Sequence, residues 1–355
     1  MSTSTNTRVV LQQYAPKDVH SPDFFSVERN QPIPDASLLK PGQVLVQVEA
    51  LSIDPHQRRF IDSLDGQDFD KEKAFVYPLG QPITGIGAGV VIASGSNRFA
   101  IGDRVRSDEI PWQTYAVVAD NTLIKLPQSS LPLTDYIGVL GMPAFTAYLG
   151  VVMVGQPKAG ETLLVSAASG AVGQIVVQLA KARGLRVIGV AGSDDKVKYV
   201  KSLGADAVLN YKTCGDFVQA LGEVAPEGID IYFDNVGGEF LDAALLHLNT
   251  HARVVICGSM STYAADKSEI SGIKNLDTLI VKEVTLRSIY YLLHVGTAIE
   301  EDFLQEMAQL VEQGLVKFKT DVRVGLENAP QALADLFAGD NFGKLIVKTL
   351  AAVDE

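Results

Sequence analysis

From Ala167 to Gly173 the chain reads Ala-Ala-Ser-Gly-Ala-Val-Gly, a turn of small residues in the pattern AxxGxxG. The apolar run Leu163-Leu164-Val165 precedes it, and apolar residues at helical spacing follow it to Ala180. Small side chains in such a turn let the backbone approach a pyrophosphate, and Gly173 lets the helix pack close to the strand. The helix start adds unpaired N–H groups and a partial positive charge for the phosphates. The chemistry such a turn offers is that of a nicotinamide dinucleotide, hence hydride transfer, or the turn is only a small-residue link between strand and helix.

Other residues refine that expectation. Selectivity for the unphosphorylated dinucleotide needs Asp or Glu about twenty residues past the glycines, on the ribose 2′-hydroxyl. Here the next strand ends Val190-Ala191-Gly192-Ser193 with no carboxylate at its tip, and Lys196 follows. A small residue plus a cation suits a 2′-phosphate. Lys196 also fits a surface lysine on a first helical turn beside Asp194 and Asp195. Asn235, in Phe233-Asp234-Asn235-Val236-Gly237-Gly238, ends a later strand where loops line a nucleotide crevice, or makes a plain turn. Asn341 and Gly343 likewise read as a turn before a strand. Tyr263 follows the fifth strand. Its phenol stays protonated near neutral pH and can donate to an oxygen that gathers charge, or it lines an apolar wall. His56, after Asp54-Pro55, is a donor, a group titrating near neutrality, or a polar residue with no role.

The elements that must hold these residues alternate. Strand character recurs at residues 186–191, 207–210, 229–234 and 252–257 with helical segments between, among them one capped by Ser193 or Asp194 and running to Leu203. That order predicts a parallel sheet covered on both faces. Earlier, residues 8–11, 43–50, 87–93, 101–105 and 115–118 read as short strands, predicting a small, partly open β-rich barrel. After a helix at 297–312, strand character returns at 317–323 and 344–349 around a helix at 329–337. The tail is expected to complete the first domain. The domains are then residues 1–140 with 318–355, and residues 141–317, with the site in the cleft between them.

Composition bounds the partners. The chain has 355 residues, 47% hydrophobic and 20% charged, with a net charge of -12. No basic stripe offsets that charge, which argues against nucleic acid and anionic membranes. Two cysteines, Cys214 and Cys257, have no metal-ligand spacing, so no zinc site is expected. The polar start, residues 1–7, shows no signal peptide, and the uncharged stretches 162–180 and 137–157 are broken by Ser169-Gly170 and by Gly141-Met142-Pro143. A soluble cytoplasmic protein is expected.

Nine segments occur in one family's order: Leu51 to Pro55, Gly141 to Tyr148, Ala167 to Gly173, Ala191 to Lys196, Asn210-Tyr211-Lys212, Phe233 to Gly238, Cys257 to Tyr263, Gly325 to Pro330, and Asn341 to Lys344. On these the chain resembles the medium-chain dehydrogenase/reductase superfamily, within it the leukotriene B4 dehydrogenase, prostaglandin reductase and curcumin reductase group of NADPH-dependent alkenal double-bond reductases. The resemblance implies a Rossmann doubly wound domain with a GroES-like barrel. It implies hydride transfer from NADPH to the β-carbon of an α,β-unsaturated aldehyde or ketone, with the enolate oxygen steadied by Tyr263 and the cofactor ribose. It also implies that Ala168, Gly170, Ala171, Val172, Gly173, Gly192, Ser193, Lys196, Tyr211, Asn235, Cys257, Gly258, Ser259, Asn341 and Gly343 line the cofactor, and that Pro55, Met142 and Tyr290 face substrate. Zinc-dependent relatives carry Gly-His-Glu and a four-cysteine lobe; Thr84 to Gly89 stands in that region here, implying zinc-free chemistry. The family's usual Tyr-Met-Arg after Asp-Pro is replaced by His56-Gln57-Arg58, and residues 288–294 also depart, which leaves the substrate open. A quinone reductase of the same superfamily and a non-catalytic NADPH-binding protein are the alternatives. The resemblance implies a homodimer, with residues 284–290 a candidate for pairing across it.

Overall fold

The computed structural model describes residues 5–17, 19–62, 76–265, 269–270 and 272–349. Part of the polar N-terminal stretch, residues 1–4, lies outside them. The chain divides into two compact units, residues 1–138 with 320–355 and residues 139–319.

The first unit is β-rich. Its strands are β1 (Asn6–Leu11), β2 (Phe25–Gln31), β3 (Gln43–Ser52), β4 (Thr84–Ser94), β5 (Arg104–Pro111), β6 (Tyr115–Ala119) and β7 (Ile124–Lys125), with short helices α1 (His56–Arg59) and α2 (Leu133–Tyr136). β3 is the hub: it pairs antiparallel with β4 along most of its length and with β6 along residues 43–47. Valines at 44, 46 and 48 put one face of β3 into a core shared with Ile110 and Trp112, the period-two pattern that fixes register.

The second unit is α/β. It opens with α3 (Met142–Tyr148), buried on nearly every side, which explains the absence of charge there. A π-helical stretch, Leu149–Gly155, continues it. Then come β8 (Thr162–Val165), α4 (Gly173–Ala182), β9 (Arg186–Ala191), α5 (Asp194–Ser202), β10 (Ala207–Asn210), α6 (Phe217–Val224), β11 (Ile229–Asp234), α7 (Gly238–Leu246), β12 (Leu248–Ile256), α8 (Asp277–Val281), β13 (Thr285–Ser288) and α9 (Ala298–Glu312). The six strands are parallel in the order β10-β9-β8-β11-β12-β13. This is the doubly wound Rossmann order. Its switch point lies between β8 and β11, whose carboxyl ends are where a dinucleotide binds.

The tail returns to the first unit as β14 (Thr320–Val324), α10 (Ala329–Ala338) and β15 (Lys344–Lys348). β15 pairs antiparallel with β3 and parallel with β14, completing a seven-stranded sheet. The strand expected from residue 317 begins only at Thr320. Lys317 and Lys319 instead exchange backbone hydrogen bonds with the side-chain amides of Gln178 and Gln174 on α4. The fifth strand starts earlier than expected, because Leu248 pairs with Ile229.

Candidate cofactor and catalytic site

The fingerprint turn is built by close approach. Ala167 adopts a positive φ of 50°, and the Ala168 N–H donates to Val190 O at 2.8 Å, tying the turn to β9. A Cβ on Gly173 would lie 2.4 Å from Ala167 O and 2.7 Å from Ala168 Cα, so only glycine fits. Among the described residues, no protein hydrogen bond uses the N–H groups of Ala171, Val172 or Gly173. Three consecutive donors at the start of α4 fit a pyrophosphate, with the helix dipole behind them.

At the tip of β9, Tyr211 lies across Gly192: a Cβ there would meet its ring 2.6–2.9 Å away. The Tyr211 N–H donates to Ala191 O at 3.0 Å. Ser193 caps α5 by accepting from the Lys196 N–H. The neighbouring carboxylates are engaged elsewhere, Asp195 with Lys198 at 3.1 Å and Asp194 with the Asn210 amide at 3.0 Å. Gly192, Ser193, Lys196 and Tyr211 thus gather at one strand end, a donor set that suits a 2′-phosphate.

At the switch point, Asn235 donates from Nδ2 to Ser166 O at 2.8 Å and from its N–H to Ser166 Oγ at 2.9 Å. The loop after β12 is laced to the same turn: Met260 N donates to Asn235 O at 3.2 Å and Ser261 N to Val236 O at 3.1 Å. A Cβ on Gly258 would lie 3.0 Å from Asn235 O and 3.4 Å from the Tyr263 phenol oxygen. The structure therefore brings Asn235, Gly258 and Tyr263 together. Ser259 packs in the same loop through Thr262. Cys257 is only partly exposed as a residue. Burial of its thiol, and then the charge of Asp234, push it up to about 12.

The first unit carries a second polar cluster. Lys344 and Asp54 are both buried, with Lys344 Nζ 2.8 Å from Asp54 Oδ1 and 2.9 Å from Ile53 O. Ser52 donates to Asp54 Oδ2 through a short hydrogen bond, and the Asp54 N–H donates to Gln57 Oε1 at 3.0 Å. Burial alone would raise the Asp54 carboxyl; the Lys344 ammonium, followed by His56 and the Ser52 hydroxyl, outweighs it and holds the group below its ordinary value. Pro55 caps α1, and His56 opens it. Burial pushes the His56 imidazole below its ordinary value, with Asp54 opposing and Lys344 adding. His56 is thus the neutral imidazole at neutral pH. Asn341 Nδ2 donates to Gly343 O at 3.0 Å, closing the turn before β15. Among the described residues no cluster of three or more His, Cys, Asp or Glu is placed to hold a metal.

Comparison with known proteins decides the family. The model of a zinc-binding dehydrogenase domain matches residues 171–313, and that of an N-terminal domain of oxidoreductases matches residues 8–126. The chain is 38% identical to the NADP(+)-dependent 2-alkenal reductase of Nicotiana tabacum, over 97% of each. The chain belongs to the medium-chain dehydrogenase/reductase family. This medium-chain reductase is also 36% identical to the NADPH-dependent curcumin reductase of Escherichia coli strain K12, over 97% of its own length and 96% of the relative's. The crystal structure of CurA in complex with NADPH from Vibrio vulnificus superposes with a TM-score of 0.87 at 33% identity, covering 97% of this chain and 99% of that one.

Within the family's fold, the residues expected on sequence fall in six places. Ala168, Gly170, Ala171, Val172 and Gly173 form the fingerprint turn, and Gly192, Ser193, Lys196 and Tyr211 the tip of β9. Asn235, Cys257, Gly258, Ser259 and Tyr263 meet at the ends of β11 and β12. Pro55, His56, Asn341 and Gly343 belong to the first unit. Met142 opens α3, and Tyr290 is 59% exposed beyond β13. Two residues escaped sequence reasoning as site components, Ser166 and Asp234. The available signal was a serine directly after β8 and a lone carboxylate closing the otherwise apolar end of β11.

Proposed function

We propose that this chain reduces the carbon–carbon double bond of α,β-unsaturated aldehydes and ketones with NADPH. The relatives named for 2-alkenal and curcumin reduction support it. The observation that carries it is the meeting of Asn235, Gly258 and the Tyr263 phenol at the switch point of the sheet. NADPH, when bound, would supply the hydride for the β-carbon of the enone, and solvent or a nearby acid supplies the proton for the α-carbon. The free N–H groups of Ala171, Val172 and Gly173 bind the pyrophosphate, and Ser193, Lys196 and Tyr211 select the 2′-phosphate. Asn235, anchored on Ser166, orients the ribose next to the nicotinamide. Tyr263 donates a hydrogen bond to the carbonyl oxygen, where charge grows as hydride arrives. His56, a neutral imidazole, offers a second donor, and Pro55, Met142 and Tyr290 shape the substrate's surroundings. Asn341 and Gly343 serve the cofactor phosphates.

The reaction is zinc-free in this proposal, because the only two cysteines lie in different loops and the chain lacks a Gly-His-Glu motif. Cytoplasmic residence is proposed on the two free thiols; no helix among the described residues is long and apolar enough to cross a membrane. A homodimer is proposed through β13. Among the described residues this strand ends the sheet with one side unpaired, and exposed Ile280, Val281 and Leu293 flank it at 79%, 75% and 74% accessibility.

The test follows NADPH consumption with linear 2-alkenals, aryl enones and quinones, with NADH in parallel and products identified by mass. Turnover of an enone to a product two hydrogens heavier, with preference for NADPH, is expected. Turnover of quinones alone would place the chain with quinone reductases, and NADPH binding without turnover on any acceptor would make it a binding protein.

A further inference from the structure

Asp234 is fully buried, and no cation pairs with it among the described residues. Its Oδ1 accepts from the Tyr232 hydroxyl at 2.6 Å, the Ser166 hydroxyl at 3.2 Å, the Val236 N–H at 3.0 Å and the Gly237 N–H at 2.9 Å. Oδ2 lies 3.2 Å from the same Gly237 nitrogen. Only donors address the group, the pattern that suits an anion. A carboxylate buried without a counter-ion is costly, and a turn through Gly237 and Gly238, both at positive φ, does not need one.

What the group holds together is specific. Ser166 ends β8, and it is also the anchor of Asn235. The Asp234 carbonyl accepts from Cys257 N at 2.9 Å and Gly258 N at 3.1 Å, which ties in the loop that carries Tyr263.

We propose that Asp234 is a positioning residue of the dinucleotide crevice: its carboxylate locks the ends of β8 and β11 so that Asn235 and the Tyr263 loop keep one arrangement. This rests on the reading above that Asn235 meets the cofactor. Asp234 has a built-in reporter. Burial first, and the Asp234 charge second, hold the Cys257 thiol up at about 12. Removing the charge is therefore expected to lower the pH at which Cys257 becomes reactive, whether or not the enzyme turns over.

The experiment uses the full chain carrying Cys214→Ser, which leaves Cys257 as the single thiol. Asp234→Asn, Tyr232→Phe and Asn235→Ala are compared by NADPH fluorescence titration and by the pH profile of Cys257 alkylation with iodoacetamide, read by mass spectrometry. For Asp234→Asn, an NADPH Kd about tenfold weaker is expected, with an alkylation profile displaced to lower pH and an unchanged melting temperature. Asn235→Ala should weaken NADPH binding and leave the alkylation profile in place. If Asn235→Ala weakens binding and Asp234→Asn does not, the role of Asp234 is overturned while the cofactor reading stands. If neither weakens binding, the cofactor reading falls and the proposal with it. Weaker binding with an unmoved alkylation profile also overturns it, since loss of the charge then explains nothing. Should Asp234→Asn fail to fold, Tyr232→Phe decides: a severalfold weaker Kd supports the proposal, and unchanged binding overturns it.

Discussion

Lys196 begins the case at the residue scale. Its two acidic neighbours are engaged by Lys198 and Asn210. A lysine–phosphate hydrogen bond is worth about 1.5–3 kcal/mol. Lys196→Ala should therefore weaken NADPH about ten- to a hundredfold and leave NADH nearly unchanged, as measured by paired fluorescence titrations; equal loss for both would remove the residue from cofactor selection. Tyr263 makes its contribution in the transition state, where the carbonyl oxygen gains charge. Tyr263→Phe should lower kcat on an enone by about a hundredfold with little change in KM. An unchanged kcat would leave the phenol as a wall of the site. The His56 imidazole is held below its ordinary value by burial, so its neutral form persists through neutral and alkaline pH. As the imidazolium is the stronger donor to an enolate oxygen, the activity it supports should be flat there and rise only on the acid side, below about pH 6.5; a pH–rate profile of His56→Asn beside the parent chain checks this, and superimposable profiles would dismiss the residue.

Elements carry the next level. The Asp54–Lys344 pair joins β15 to the segment between β3 and α1. Removing one partner of a buried pair costs about 3–5 kcal/mol, and Lys344→Met should lower the urea midpoint accordingly. The sign with pH follows from Asp54, whose carboxyl sits below its ordinary 3.8 in the fold. The stability it contributes is complete above the unfolded value and is lost as pH falls through the folded one. The variant should lose more at about pH 7 than at about pH 3, and an equal loss at both would assign the effect to packing alone. Neither partner announced itself in the sequence, because the two are 290 residues apart. What was legible was local: the small residues of the fingerprint turn, the period-two valines of β3, the serine that caps α5. The start of β14 was misjudged for the complementary reason. Side-chain amides on α4 took up the backbone groups of Lys317 and Lys319, a contact that no pattern around residue 317 encodes. Asp234 was visible as a residue, but its burial without a cation was not.

At the scale of the molecule, the exposed edge at β13 predicts the state of assembly. Val281→Asp with Leu293→Asp places charge beside that edge and should convert a dimer to a monomer by light scattering; a parent chain that is already monomeric would refute the interface. The return of the chain to its first unit has a consequence for how the protein is made. β3 emerges early, yet its partner β15, and the lysine that neutralises Asp54, follow only after the whole α/β unit between them. At about 5–20 residues per second the interval is roughly 15–60 s of synthesis. Through that time the second unit is free to fold alone, while the first waits with an open sheet edge and an uncompensated carboxylate. The nascent chain is thus most vulnerable in the part that was translated first, and it is there that a chaperone would find its work.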